Sequence, residues 1–232
     1  MSSKIMAIAA HPGDALFTMG APVAQHINDG NAGVFLCLTM GEKGNPANIS
    51  LERYGEMQRE ATEQAAKMLG AELEMLNYPD AELPWHERVA LEVCDVLRKH
   101  RPTIVITHWS GSWHKDHQNC HIVVRDALFY ASLPGIVRIL PPHSVQKLFY
   151  AENWEDGSNF EPDTYLDVTP VYKKWLEACD LYPMWRGQTG FFRYHDYYGS
   201  LAVMRGSLSG FQYASALMRD PEQRRSAVRS LE

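Results

Sequence analysis

What the 232-residue sequence lacks narrows it first. No apolar run approaches the roughly 18 residues that a membrane-crossing helix needs, so a bundle of such helices is excluded. Lys4 is followed only by Ile5 to Ala10 before His11 and Pro12 interrupt, too short a stretch for a secretory h-region. The four cysteines, Cys37, Cys94, Cys120 and Cys179, are scattered and show no Cys-x-x-Cys spacing. They read as small buried hydrophobes in a reducing compartment, not as a disulfide framework. Positive charge is in deficit: a formal net charge of -6 argues against nucleic acid as the main partner. The one basic concentration (Arg219, Arg224, Arg225, Arg229) is interleaved with Asp220 and Glu222 and reads as a solvated helix face. Internal repeats, low-complexity tracts and clear linkers are also missing. The expectation is one cytoplasmic domain over residues 1–232, with no membrane partner.

The elements present alternate. Lys4 to Ala10 reads as a buried strand stopped by His11-Pro12-Gly13, and Ala15 to Asp29 as one helix ending at Gly30, with Asp14 where an N-cap would sit. Val34 to Leu38 is a second continuous apolar run, of the kind that suits strands covered on both faces. A Gly/Asn/Pro loop over 41–50 precedes a strong helix from Leu51 to Leu69, with Met57, Ala61, Ala65 and Met68 or Leu69 on one face and Gly70 as terminator. Glu72 to Leu76, Thr103 to Thr107, Lys147 to Ala151 and Tyr165 to Val168 are strand candidates. Glu87 to His100 and Asp116 to Ser132 are helices, and Thr169-Pro170 looks like the N-cap and first residue of another running towards Leu181. The aromatic stretch from Met184 to Tyr198 suits a pocket wall, a subunit contact or packed core. Repeated strand–helix alternation predicts an α/β three-layer sandwich around a mostly parallel sheet. Ligands of such sheets gather outside the carboxyl ends of the strands, where both His11 and His108 fall.

Chemistry concentrates in two fragments. Half of the ten histidines lie between His100 and His121, and imidazole is the commonest metal ligand. His11 and Asp14 share one turn near the N-terminus. His114 and His117 frame Asp116 at a helix start, and His117 and His121, four apart, share a helix face. Two imidazoles and a carboxylate are a recurring catalytic metal set, and any of these histidines would complete it. The same set also suits Fe²⁺.

These residues carry a resemblance. Ala10-His11-Pro12-Gly13-Asp14 is similar to the Ala-His-Pro-Asp-Asp-Glu signature of the LmbE/PIG-L family of zinc-dependent N-deacetylases, and His114-Lys115-Asp116-His117 with His121 to its His-Pro-Asp-His-x-x-x-His. Thr39-Met40-Gly41-Glu42-Lys43-Gly44, the helix from Arg59-Glu60 to Leu69-Gly70, and Gly210 to Ala216 resemble three further family fragments in the same order. The resemblance implies a Rossmann-like fold that holds Zn²⁺ through His11, Asp14 and His117. It implies that His114, as a cationic imidazole oriented by Asp116, stabilises the tetrahedral intermediate. It also implies a small N-acetylated, sugar-derived substrate and a homo-oligomer.

One departure matters. The family's general base is the first aspartate of its Asp-Asp pair, and here that position is Gly13; the following glutamate is Ala15, and Lys115 replaces a proline. General-base help is typically worth about 10² to 10⁴ in rate. Either another group supplies it (Asp116 coupled to His114, Glu42, His195 or Asp196), or the chain is a metal-binding pseudoenzyme that binds without turnover.

Overall fold

The structure, a computed structural model, describes residues 3–188 and 190–223. In chain order it contains β1 (Lys4–Ala9), α1 (Pro12–Phe17), α2 (Gly20–Asn28), β2 (Ala32–Thr39), α3 (Leu51–Leu69), β3 (Glu72–Tyr78), α4 (Glu87–His100), β4 (Ile104–Thr107), α5 (Lys115–Ser132), β5 (Lys147–Ala151), β6 (Thr164–Asp167), α6 (Tyr172–Cys179), α7 (Tyr194–Ser209) and β7 (Ala214–Arg219). The strands form one seven-stranded sheet in the order β3-β2-β1-β4-β5-β7-β6. β1 to β5 pair parallel, while β7 is antiparallel to both β5 and β6. This is the expected α/β sandwich with a mixed edge.

The continuous apolar runs of β1 and β2 are explained by cover on both faces. Ile5, Ala7 and Ala9 pack into a core with Phe35, Cys37, Leu69 and Trp175; Met6, Ile8 and Ala10 point the other way, against Val34, Leu36, Val93 and Val124. Alternate residues of one strand thus serve two cores, as the period of two requires. Along α3, Ala61, Ala65 and Leu69 are buried as expected, but Met68 is exposed and Gln58 takes a buried place beside them.

Several expectations need correction. The single helix over 15–29 is two helices, because the Leu16 carbonyl accepts the Trp175 indole N–H (2.7 Å) and Pro22 has no N–H to offer Thr18. Asp14 is not an N-cap but lies inside α1, capped by His11 without a side-chain bond. Thr169 does not cap a helix: its hydroxyl is engaged with the backbone of Tyr213, and α6 starts later, after Val171. Arg219 ends β7 and does not belong to a basic helix; Arg224, Arg225 and Arg229 lie outside the described residues. β7 and α7 had not been expected at all.

From β1 the chain winds one way to β2 and β3, then returns to β4 and β5 on the other side of β1. The reversal opens a crevice at the carboxyl ends of β1 and β4, the place where open α/β sheets bind ligands.

Candidate metal centre

The crevice is stitched before any functional side chain enters it. The Ala10 carbonyl accepts both the Thr39 N–H (2.9 Å) and the Thr39 hydroxyl (2.9 Å), and the Ala10 N–H donates to His108 Nε2 (3.0 Å). The Thr107 hydroxyl donates to the Ile8 carbonyl (2.8 Å). His11 therefore leaves β1 in a fixed direction, and Pro12 opens α1 where its missing N–H costs nothing. Gly41, at φ 64°, lets the loop after β2 close over this turn; a Cβ there would stand 3.4 Å from Pro12 Cδ.

The fold brings His11, Asp14 and His117 together. His11 Nδ1 lies 2.9 Å from Asp14 Oδ2 and 3.3 Å from His117 Nε2, and His117 Nε2 lies 3.0 Å from Asp14 Oδ2. These separations are near the roughly 3.3 Å edge that bonds of about 2.0–2.1 Å imply for a tetrahedral ion.

Each donor also has its far side occupied. His11 Nε2 faces Asp80 Oδ1 (3.0 Å) and Asp116 Oδ2 (3.4 Å). His117 Nδ1 faces Glu155 Oε2 (3.0 Å) and the Ser112 hydroxyl (3.2 Å). Asp14 Oδ1 accepts from the Asn153 amide (3.0 Å). A carboxylate behind an imidazole sets its tautomer, so the lone pairs of His11 Nδ1 and His117 Nε2 are directed to the common point. The donor set therefore fits a divalent ion.

Charges around the triad follow. Burial opposes a proton on His11, but hydrogen bonds to Asp116, Asp14 and Asp80 outweigh it and hold the ring well above its ordinary value. Asp14 stays well below the usual carboxylate range despite burial, because His117 and His11 stand against it. Burial and the Asp14 charge push Glu155 up to about 8.

The other histidines are excluded from the triad or serve differently. His108 accepts the Ala10 N–H and stacks on His117 at 4.0 Å, its charge suppressed by burial and by His117. His121 Nδ1 bonds the His108 carbonyl (3.0 Å). His114 stacks on the opposite face of His117 at 4.5 Å and lines the cleft. Its Nδ1 accepts the Asp116 backbone N–H (3.2 Å), so its proton sits on Nε2. Burial and His117 lower its pKa to about 4. Asp116 positions it through that backbone N–H, while the Asp116 carboxylate faces His11 and the Leu83 N–H (3.3 Å).

Of the substitutes considered for the missing base, His195 and Asp196 lie outside the cleft lining, exposed and paired with each other. Glu42 stands behind Asp80 and accepts its N–H (2.9 Å). Gly13 does line the cleft, and a Cβ on it would meet the Phe17 ring at 3.2 Å. Sequence reasoning missed Asp80, Ser112, Asn153 and Glu155 in these roles.

Fold and site together define an α/β protein with a His/Asp metal-holding group in a cleft of about 280 Å³ at the carboxyl edge of its sheet. The sequence pattern of the PIG-L family, GlcNAc-PI de-N-acetylase, matches residues 6–128. The chain belongs to that family. It is 26% identical over 227 residues to diacetylchitobiose deacetylase of Thermococcus kodakarensis, covering 92% of this chain and 82% of that protein. It is also 26% identical over 216 residues to 4-oxalmesaconate hydratase of Pseudomonas putida, covering 87% and 79%. Among solved structures, the 4-carboxy-2-hydroxymuconate hydratase of Pseudomonas putida superimposes with a TM-score of 0.87 at 21% identity, covering 99% of this chain and 100% of the other. The N,N'-diacetylchitobiose deacetylase of Pyrococcus horikoshii gives 0.80 at 22%, covering 95% and 84%.

Proposed function

We propose that this protein is a divalent-metal-dependent hydrolase, with zinc as the ion, that cleaves the N-acyl bond of a small N-acetylated, sugar-derived compound. The observation that carries the reading is the convergence of His11 Nδ1, Asp14 Oδ2 and His117 Nε2, each locked from behind, beside the neutral His114 donor. When bound, a divalent ion supplies Lewis acidity, polarising an acyl carbonyl and acidifying water.

The chain's own side chains complete the chemistry. His114 offers an Nε2–H for charge developing on the acyl oxygen, and because it starts neutral it adds no cation beside the ion. The cleft carries the carboxylates of Asp14 and Asp80, whereas its Lys43 is paired with Glu82. That balance favours an uncharged substrate and a leaving amine that departs as an ammonium. Phe17, Trp154 and Tyr194 give an aromatic wall for the apolar face of a sugar ring.

A second reading, addition of water to an unsaturated carboxylic acid, is favoured by Gly13 and by the end-to-end likeness to a hydratase. The cleft carboxylates weigh against it, since they repel an anionic substrate. Zinc-loaded protein incubated with N-acetylglucosamine and N,N'-diacetylchitobiose, with primary amine measured, separates the two. Amine release is expected, with a loss of about 10²- to 10³-fold in His114→Ala. Turnover confined to unsaturated dicarboxylic acids would replace the hydrolase with a hydratase, and turnover of neither would leave a metal-binding pseudoenzyme.

A further inference from the structure

Aromatic side chains run from inside the cleft to its rim without a break. Phe17, Trp154 and Tyr194 line the cleft. Phe17 meets Tyr194 at a ring-centroid distance of 5.5 Å, and Tyr194 meets Phe192 at 4.7 Å. Phe192 stacks on Trp154 at 4.1 Å, and Trp154 meets Trp113 at 5.5 Å with the rings nearly perpendicular. Trp113 ends the series. Its ring stands 6.1 Å from that of His114, which also lines the cleft, yet Trp113 itself lies beyond the lining and is 60% exposed. A lone apolar side chain on a surface calls for no explanation. This one continues a row of rings that begins beside the proposed oxyanion donor.

The exposed indole is held in place. The Trp113 N–H donates to the Glu155 carbonyl (3.0 Å), Ser112 forms an antiparallel bridge with Asp156, and the Gly157 N–H donates to the Gly111 carbonyl (3.0 Å). The Trp109 indole N–H donates to the Ser158 carbonyl (3.0 Å), and only a glycine fits at position 111, where a Cβ would stand 2.2 Å from that same oxygen. The histidine loop and the segment after β5 are thus clamped into one rim. Trp113 presents its aromatic surface with little ordering left to lose on binding. The cleft inside the rim, about 280 Å³, is at the low end for small-molecule sites and has room for one acylated sugar ring. A further ring must leave across the rim, and the 5.5 Å step from Trp154 to Trp113 matches the length of one pyranose residue in a glycan chain.

We infer that Trp113 is the platform for a second sugar ring, so that the site takes an N-acetylated oligosaccharide of at least two residues in preference to a single amino sugar. The inference rests on the hydrolase reading above and narrows its substrate class. The residue that carries the acyl group occupies the cleft, with that group towards the triad and His114. The next residue lies over the rim with its C–H face on the indole, where the hydrogens meet the negative face of the π-system. Trp113 touches the substrate away from the reacting atoms. It therefore holds ground state and transition state alike, and its loss raises KM while leaving kcat.

The test sets N-acetylglucosamine against N,N'-diacetylchitobiose in wild type, Trp113→Ala and Trp113→Tyr. Amine release by zinc-loaded protein gives kcat and KM, calorimetry on zinc-stripped protein gives Kd without turnover, and sedimentation gives the mass of each variant. In wild type, KM and Kd are expected to be about three- to tenfold lower for the disaccharide. Trp113→Ala should erase that advantage while kcat and KM for the monosaccharide stay at the wild-type level, and Trp113→Tyr should keep most of it. Equal affinity of wild type for the two sugars, or binding of neither, overturns the inference whatever the turnover. So does a loss in Trp113→Ala shared equally by both sugars, which assigns the indole to positioning His114. A change of sedimenting mass in Trp113→Ala also overturns it, because a second copy then covers the ring. Preferential binding of the disaccharide without amine release removes the hydrolase reading and leaves the role of Trp113 standing.

Discussion

His11 carries a proton that a metal must displace. Its pKa in the folded chain stands well above 6.5, raised by the hydrogen bonds to Asp116, Asp14 and Asp80 against the opposing effect of burial. Binding through Nδ1 requires the neutral ring. Zinc affinity is therefore expected to rise with pH up to the raised folded pKa of His11, by up to roughly tenfold per unit for each proton displaced. Calorimetry in two buffers of different ionisation enthalpy should show close to one proton released per zinc; an affinity flat across that range contradicts the assignment. The sign for metal-free stability is opposite. A raised folded pKa contributes stability that is complete below the unfolded value and lost as pH climbs through the folded one. At this scale the sequence was readable where partners are close along the chain. His11 and Asp14 share one turn, and His114, Asp116 and His117 share another. Asp80, Asn153 and Glu155 sit in segments with no spacing relation to any histidine, and nothing local marks them.

Among the elements, α4 and α5 depend on a buried cation. Arg98, 2% exposed, donates to the carbonyls of Tyr130 (3.0 Å), Ala131 (3.2 Å), Leu133 (3.0 Å) and Leu140 (3.1 Å). The guanidinium satisfies carbonyls at the end of α5 and sits where the helix dipole is negative. Arg98→Met should destabilise by about 2–4 kcal/mol, since it strands several buried acceptors. Arg98→Lys should recover only part, because an ammonium cannot span the fork. Denaturant titration measures both; a change below about 0.5 kcal/mol for the methionine variant contradicts this role. Helices α3 and α4 were legible because each carries an amphipathic period and a clear end: Ser50 caps α3 by accepting the Arg53 N–H, and Gly70 closes it at φ 83°. Helix α7 was not. Only Tyr198, Ala202 and Gly206 of it are buried, a narrow stripe, while Val203, Met204 and Leu208 are exposed, so its apolar residues show no single face.

The whole molecule joins the triad from distant parts of the chain, with Asp14 of α1 and its N-cap His11 supplying two donors and α5 the third. An ion that binds only the assembled site must stabilise the fold. Zinc at about 100 times its Kd should add about 2.7 kcal/mol, or roughly 5–10 °C in melting temperature at this size. Differential scanning fluorimetry checks it; the shift should vanish in Asp14→Ala while the metal-free transition remains, and a shift that survives there places the ion elsewhere. The described helices include none long and apolar enough to cross a membrane, as the sequence had indicated. By itself the sequence determined the α/β alternation, the parallel centre of the sheet and the kinds of ligand available, because periodicity and short spacings are local physics. Only the tertiary structure decided that β7 enters antiparallel between β5 and β6, that Trp175 splits the first helix in two, and that Asp80 and Glu155 stand behind the two imidazoles. Those outcomes depend on groups far apart in the chain meeting in three dimensions, and no pattern within a few residues encodes such a meeting.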